Sequence, residues 1–178
     1  MKRLLIPLIL FLLLTVEGVA LDILPDSLVQ GDFIFVAHWV FVFIVLLAIF
    51  YDREDTYFSV FYGLLFGLLV DIAYTGVLGV YMFSYALGAY MVHGMIKLLH
   101  ANFFVTVVLG TGGLIMTEVL INVIFSFTGL TDMGWQHYAL HRLLPTVMAN
   151  ILFLLALYPI MARRLAGWKK ELSGISSF

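Results

Sequence analysis

The chain has 178 residues, of which 63% are hydrophobic and only 11% are charged, and its mean hydropathy is +1.11. A soluble domain carries about 25% charged and about 45–50% apolar residues, so this composition excludes a soluble globular fold and predicts a membrane protein. The net charge of −2 argues against nucleic-acid binding, and the absence of cysteine excludes disulfides and thiolate chemistry.

Six apolar runs are close to the length of about 20 residues that a helix needs to cross a bilayer. They lie at residues 4–21, 33–51, 57–74, 78–97, 102–127 and 137–162. The breaks between most of them hold aspartate, proline or glycine, which form turns. The pattern predicts an all-α integral membrane protein. Residues 1–178 form one membrane domain, a six-transmembrane-helix bundle with a basic cytoplasmic tail at 163–178.

The first apolar run has two interpretations. Lys2 and Arg3 precede it and Gly18-Val19-Ala20 ends it, as in a cleavable signal peptide. However, the run is long enough to span a membrane, and Glu17 interrupts it just before the possible cleavage site. We therefore expect residues 1–21 to be retained as the first helix.

The positions of lysine and arginine predict the orientation of the helices. In a six-helix topology, eight of the nine basic residues fall on the side that holds both termini. The positive-inside rule assigns that side to the cytoplasm. The exception is Arg142, which this topology places inside the sixth helix, near its outer end.

Ionisable residues inside the predicted helices need an explanation, because each costs at least about 2.5–3.5 kcal/mol on insertion scales. The four candidates for an intramembrane polar cluster are Glu17, Asp71, Glu118 and Arg142. One arginine among three acids indicates an ion pair of Arg142 with Asp71 or Glu118. Such a cluster either orients the helices or forms a proton or substrate pathway. Because no pair of matching broken helices is visible, we favour the structural interpretation.

Small residues accompany these charges at a helical spacing. Gly63, Gly67 and Asp71 share one face of the third predicted helix, and a small-xxx-small pattern lets another helix approach closely. Corresponding stripes occur in the fifth and sixth helices, formed by Thr106, Gly110, Glu118 and Asn122, and by Arg142, Thr146 and Asn150. Asp71 should therefore face a neighbouring helix. We hypothesise that Arg142 holds it, directly or through water, and clamps the third helix against the sixth.

Histidines are weaker candidates. His137 and His141 are four residues apart and could chelate a metal, but no third ligand or HExxH glutamate accompanies them. His38 and His93 lie singly in apolar runs. No catalytic triad, P-loop or nucleotide-binding glycine motif occurs in a suitable context. The sequence therefore predicts no catalytic residues, metal site, cofactor or enzymatic activity.

Several stretches, in this order, resemble the bacterial rod shape-determining protein family MreD. They are Phe61–Asp71 with its Gly-x-x-x-Asp step, the turn Gly76–Gly79, Tyr85–Tyr90, Leu144-Pro145 with Asn150, and Tyr158-Pro159 before Arg163-Arg164. The resemblance covers essentially the whole chain in length and helix count. It marks five positions as helix-packing or partner-binding: Gly63, Gly67, Gly88, Pro145 and Asn150.

The resemblance implies a non-enzymatic, multi-pass component of the elongasome in the bacterial cell membrane. Members of the family bind the bitopic protein MreC and act with MreB, RodA and a class B penicillin-binding transpeptidase to direct lateral peptidoglycan synthesis and rod shape. Membrane lipids are expected contacts as well. The six-helix arrangement is also similar to the substrate-binding subunits of energy-coupling-factor transporters. A vitamin-type transporter subunit is therefore the alternative, and it would enclose a polar pocket open to the outside.

Overall fold

The computed structural model describes residues 4–23 and 33–172, and the side chains of residues 4–19 and 33–170. Within these ranges the regular elements are helical, as predicted. Six main helices occur: α1 (Leu5–Ile23), α2 (Trp39–Phe50), α3 (Phe58–Val70), α4 (Val80–Ile96), α5 (Phe103–Phe127) and α6 (Leu144–Leu172). A π-helical turn, Asp71–Thr75, extends α3. The short helix Trp135–Tyr138 and a second π-helical turn, Ala139–Leu143, lead into α6.

Two predicted boundaries are wrong. The run 33–51 begins as extended chain and becomes helical at Trp39, for reasons that its hydrogen bonds explain below. At the other end, α6 does not stop near residue 162 but continues to Leu172. Ala162 and Leu165 are buried there, so one face of the helix still packs against the bundle and keeps the segment helical. Lys2, Arg3 and the last six residues of the predicted tail lie outside the described ranges.

Helix α2 is the centre of the bundle. Ten consecutive residues, Val40 to Ile49, are buried, and α2 contacts each of the other five main helices. A helix that is apolar on every side fits this position, since no face of it meets a polar environment. The remaining helices therefore form a ring around α2.

The outside of the ring is apolar. Large hydrophobic side chains such as Phe11, Phe104 and Leu152 are more than half exposed, and a soluble protein does not expose so much contiguous apolar surface. In the described part of the chain, three helical stretches are long and apolar enough to cross a membrane: Phe58–Thr75, Phe103–Phe127 and Trp135–Lys170. Leu5–Val19 and Trp39–Phe50 are apolar but shorter. The prediction of a membrane protein is therefore confirmed.

Glycines let α3 and α4 pack at short range. A Cβ atom added to Gly63 would lie 3.0 Å from the backbone oxygen of Tyr85, and one added to Gly67 would lie 2.6 Å from that of Tyr81. The stripe predicted from the four-residue spacing thus faces α4, the next helix in the chain. The contact is between backbones, so neither helix can accommodate a side chain by changing a rotamer.

Replacing Gly67 with alanine should destabilise the bundle. We expect Gly67→Ala to lower the free energy of unfolding by about 1–3 kcal/mol, because its methyl group would overlap the α4 backbone. Gly112→Ala is the matched control, since a Cβ at Gly112 meets no described atom within 4 Å and alanine favours a helix. Thermal unfolding in detergent measures both. Equal melting temperatures for the two variants would contradict the close α3–α4 contact.

Candidate functional site

An extended segment, residues 33–38, enters the bundle before α2 and lies against α6. Val36 N donates a hydrogen bond to Thr146 Oγ1 at 3.2 Å, and His38 N donates to Asn150 Oδ1 at 2.8 Å. The Asn150 amide nitrogen donates in turn to the Val36 carbonyl oxygen at 2.8 Å. Extended backbone at membrane depth requires protein partners, because lipid supplies none. Thr146 and Asn150, one turn apart on α6, are these partners.

Pro145 gives the same segment a further acceptor. A proline has no backbone N–H, so the carbonyl four residues before it, that of His141, lacks its helical partner. The Ile34 N–H donates to this carbonyl oxygen at 2.7 Å. Pro145, Thr146 and Asn150 therefore together turn one side of α6 into an edge to which extended chain can bind.

Glu118 on α5 connects the segment to α6. It is fully buried, and its Oε1 accepts a hydrogen bond from Arg142 Nε at 2.8 Å. Its Oε2 lies 2.9 Å from His38 Nε2. His38 Nδ1 lies 2.8 Å from the Tyr85 hydroxyl of α4. A neutral His38 with its proton on Nε2 satisfies both contacts, donating to Glu118 and accepting from Tyr85.

Glu17 holds the segment from the opposite side. This α1 residue is 8% exposed, and its Oε2 accepts a hydrogen bond from Val40 N at 2.9 Å. The N–H groups of a first helical turn have no partner within the helix and carry partial positive charge, so a carboxylate is a favourable cap. We call Glu17, His38, Tyr85, Glu118, Arg142, Thr146 and Asn150 the polar centre. Four helices contribute to it, and all of them hold the entry to α2.

Asp71 belongs to a separate contact. Its Oδ2 accepts hydrogen bonds from Gly79 N at 2.8 Å and Met82 N at 3.1 Å, and its Oδ1 accepts one from Tyr81 N at 2.9 Å. Gly79 has a φ of +101°, a conformation that favours glycine. The fully buried Asp71 carboxylate is therefore the N-terminal cap of α4.

This geometry answers the question of which acid pairs with Arg142. Asp71 and Arg142 are not hydrogen-bonded to each other in the described structure, so the hypothesis of a direct clamp between them is wrong. Arg142 pairs with Glu118, the alternative acid. The reason is local: Asp71 follows its own glycine-lined helix into a tight hairpin, where the free N–H groups at the start of α4 bind its carboxylate.

The remaining predicted positions lie in helix packing. A Cβ added to Gly88 on α4 would overlap Phe41 of α2 and Thr117 of α5. His38 and Tyr85 carry much of the polar centre, yet sequence reasoning gave His38 little weight and named Tyr85 only as part of the stretch Tyr85–Tyr90. Their signal in the sequence was weak, because a single histidine or tyrosine in an apolar run has no second polar residue one helical turn away to mark a polar face.

His137 and His141 stack on each other with ring centroids 4.2 Å apart, and the described residues contain no group of three metal-binding side chains.

A cavity of about 320 Å³ lies beside the polar centre, between α1, the extended segment and α3. Glu17 is the one charged side chain among its described lining residues, and the others include Val36, Val70, Tyr74 and Tyr81. One oxygen of Glu17 is already bonded to α2. The polar side chains of the centre thus bind the protein's own backbone and one another.

A second buried carboxylate lies at the other end of the bundle, in the connection between α2 and α3. Asp52 accepts hydrogen bonds from Phe58 N at 3.1 Å, Ser59 N at 3.0 Å and Ser59 Oγ at 2.5 Å, and so caps α3. Burial raises the pKa of the Asp52 carboxyl from 3.8 to about 6, although these hydrogen bonds and the charge of Lys169 oppose the shift. The folded protein therefore binds this proton more tightly than the unfolded chain does.

This pKa predicts a pH dependence of stability. A carboxyl whose pKa is raised by folding stabilises the fold fully below its unfolded pKa, near pH 4, and loses that contribution as pH rises through about 6. Relative to an Asp52→Asn variant, the free energy of unfolding of the wild type should fall by about 1–3 kcal/mol between pH 4 and pH 7. Parallel titrations of the two proteins in detergent measure the difference. A constant difference across this range would contradict the raised pKa.

Comparison with known proteins finds sequence similarity over nearly the whole chain. The sequence profile described as "rod shape-determining protein MreD" matches residues 2–165. The chain is 28% identical to "Rod shape-determining protein MreD" of Bacillus subtilis (strain 168) over 172 residues, which cover 97% of this chain and 98% of the relative. No solved structure matches, so the expected similarity to energy-coupling-factor transporter subunits has no support.

Proposed function

Since the chain belongs to the MreD family of rod shape-determining proteins, we propose that it is a non-enzymatic membrane component of the elongasome that binds MreC. In this role it helps direct lateral peptidoglycan synthesis, together with MreB, RodA and a class B penicillin-binding transpeptidase. The profile match over residues 2–165 carries this proposal.

The polar centre supports a structural role. Its buried carboxylates, imidazole and amide have partners in the protein: Glu118 pairs with Arg142 and His38, and Asn150 binds the extended segment. Buried polar groups of this kind can specify how helices are arranged. Function then lies on the outer, lipid-facing surfaces of a bundle whose interior is fixed, which is what a partner with a single membrane helix would contact.

We infer that all six helices span the inner membrane and that both termini are cytoplasmic. Arg53, Lys97 and Lys169 lie at one end of the bundle, around a single cavity, as the positive-inside rule requires for cytoplasmic residues. Reporter fusions after Arg164 should be active in the cytoplasm, and fusions after Asp132 should be active outside. An external C-terminus would overturn this orientation.

Co-purification tests the MreC proposal. The tagged full chain is co-expressed with MreC of the same organism, and detergent-solubilised membranes are captured on the tag. MreC should be retained at a defined stoichiometry, whereas an unrelated protein with one membrane helix, expressed at the same level, should wash away. Equal retention of the two proteins, or loss of MreC while the captured chain stays folded, would refute the interaction.

Cell shape supplies the functional readout. Depletion of the resident MreD from a rod-shaped bacterium should give rounded cells, and this chain should restore rods when it is expressed with its own MreC. The Gly67→Ala variant should restore rods less well than Gly112→Ala, because close α3–α4 packing is needed for the fold. Restoration of shape without any MreC would show that the proposed partner is wrong.

A further inference from the structure

The cavity of about 320 Å³ beside the polar centre has the size and the wall of a small-ligand site. Its volume is at the lower end of the range of about 300–1,000 Å³ for such sites. The polar side chains that line it are Glu17, Tyr74, Thr75 and Tyr81, and its other described lining residues are apolar or glycine. We propose that this cavity binds a primary ammonium group, carried by a phosphatidylethanolamine headgroup or by a free amine.

The first support is the buried carboxylate of Glu17. Val40 N donates a hydrogen bond to Glu17 Oε2 at 2.9 Å, and the N–H of Trp39 also interacts with the carboxylate. A carboxylate has about four acceptor positions, so Oε1 keeps room for a further donor. His38 is the one basic side chain whose charge would act on Glu17 in the described structure, and the contacts above make it neutral. An ammonium group would supply the missing positive charge.

The second support is Tyr81 on α4, which is 7% exposed and lines the cavity. Its hydroxyl makes no hydrogen bond within the described part of the chain, although buried tyrosine hydroxyls usually have a partner. The other two hydroxyls of the wall already donate. Tyr74 donates to the Leu14 carbonyl oxygen at 2.7 Å, and Thr75 donates to that of Asp71 at 3.1 Å. The Tyr81 hydroxyl is therefore the one whose hydrogen-bonding capacity is unused.

The third support is the free edge of the extended segment. In extended chain, the backbone groups of alternate residues point to opposite sides. The N–H groups of Ile34, Val36 and His38 donate to α6, so those of Phe35 and Ala37 point away from it. Phe35 and Ala37 line the cavity, and their backbone groups make no hydrogen bond to a described residue. Because lipid tails cannot satisfy backbone groups, their carbonyl oxygens favour an occupant that has N–H donors.

A primary ammonium group matches these acceptors. It has three N–H donors, and the cavity offers Glu17 Oε1, the Tyr81 hydroxyl oxygen and the carbonyl oxygens of the extended segment. A quaternary ammonium group carries the same charge but has no N–H group, so it cannot satisfy them. Exposed apolar side chains lie within two residues of the lining residues, namely Val16, Val19 and Ile72. The acyl chains of a lipid would find an apolar surface there.

Native mass spectrometry of the purified full chain tests the proposal. Phosphatidylethanolamine and phosphatidylcholine with the same acyl chains are titrated separately, because they have the same net charge and differ in the N–H donors of the ammonium group. Phosphatidylethanolamine should be retained at least about 5-fold better than phosphatidylcholine. Glu17→Gln should lower its retention by about 10-fold, since glutamine keeps an acceptor for Val40 N but loses the charge.

Free ethanolamine forms a further arm that distinguishes the two sources. A rise in melting temperature with ethanolamine that Glu17→Gln abolishes, without selective lipid retention, supports the ammonium site and assigns it to a soluble amine. Selective retention of phosphatidylethanolamine assigns it to the lipid. Equal retention of the two lipids together with no effect of ethanolamine would overturn the proposal.

Tyr81→Phe separates binding from folding. It removes a hydroxyl that has no partner in the described structure, so the melting temperature should stay the same or rise while ammonium binding falls by about 3-fold. Tyr90→Phe is the matched control, since Tyr90 is an exposed tyrosine of the same helix and does not line the cavity. It should leave binding unchanged. Equal binding by Tyr81→Phe and Tyr90→Phe, or wild-type binding by Glu17→Gln, would also overturn the proposal.

Discussion

Substitution of Arg142 with methionine is expected to lower the free energy of unfolding by about 3–5 kcal/mol, because it leaves the buried Glu118 carboxylate without its cationic partner. Glu118 is fully buried, whereas the Arg142 side chain is 17% exposed. Glu118→Met should also destabilise the protein: the arginine left behind can reach polar surroundings, but the buried Nε2 of His38 loses its acceptor.

A double-mutant cycle identifies the partner. Arg142→Met combined with Glu118→Met should cost about 1–3 kcal/mol less than the sum of the two single variants. Arg163→Met is the matched control, since it removes an exposed arginine from α6 and should change stability by less than about 0.5 kcal/mol. Unfolding titrations with sodium dodecyl sulfate in mixed micelles measure the wild type and the four variants. Strict additivity of Arg142→Met and Glu118→Met would show that the buried pair is not energetically coupled.

Substitution of Asp71 with alanine should cost at least about 2 kcal/mol, because it leaves three backbone N–H groups of the α4 N-terminus without an acceptor. Asp71→Asn should cost less, since its remaining oxygen can still accept from Gly79 and Met82. Asp71→Asn should still destabilise the protein, because its amide group would face the N–H of Tyr81, which in the wild type donates to Asp71 Oδ1. The expected order of stability is wild type, Asn, Ala.

Thermal unfolding in detergent measures this order. Asp132→Ala is the control, since Asp132 is exposed and its removal should shift stability by less than about 0.5 kcal/mol. Asp71 and Arg142 share no hydrogen-bond partner in the described structure, so Asp71→Ala and Arg142→Met should be additive within about 0.5 kcal/mol. If Asp71→Ala and Arg142→Met were instead coupled as strongly as the Arg142 and Glu118 variants, the hypothesis that Asp71 and Arg142 hold α3 against α6 would be supported after all.

The glycine stripe shows what the sequence can predict. Because residues four apart share one face of a helix, Gly63, Gly67 and Asp71 were correctly predicted to face a neighbouring helix. The identity of that neighbour was wrong for Asp71, because a tight hairpin brings the N–H groups of α4 within reach of its carboxylate. Spacing within one helix carries no information on which helix lies opposite.

The extended segment shows where sequence reasoning fails. Residues 33–38 are as apolar as the helix that follows, so composition predicts one continuous span. The helix is interrupted because α6 offers competing partners: the carbonyl freed by Pro145, the Thr146 hydroxyl and the Asn150 amide. These groups lie more than 100 positions away in the chain. The sequence analysis assigned each of these residues to the sixth helix, but only the folded structure shows that they bind the segment before α2.

The central position of α2 has a consequence for how the protein is made. A chain synthesised at about 5–20 residues per second exposes α2 roughly 5–20 s before Asn150 emerges. During that interval α2 lacks the later helices that pack against it in the folded protein. Its ten buried apolar residues suit lipid as well as protein surroundings, and the His38 entry is completed only when α5 and α6 arrive. The hydrogen bonds that hold the start of α2 can therefore form only after α6, the last of the described helices, has been synthesised.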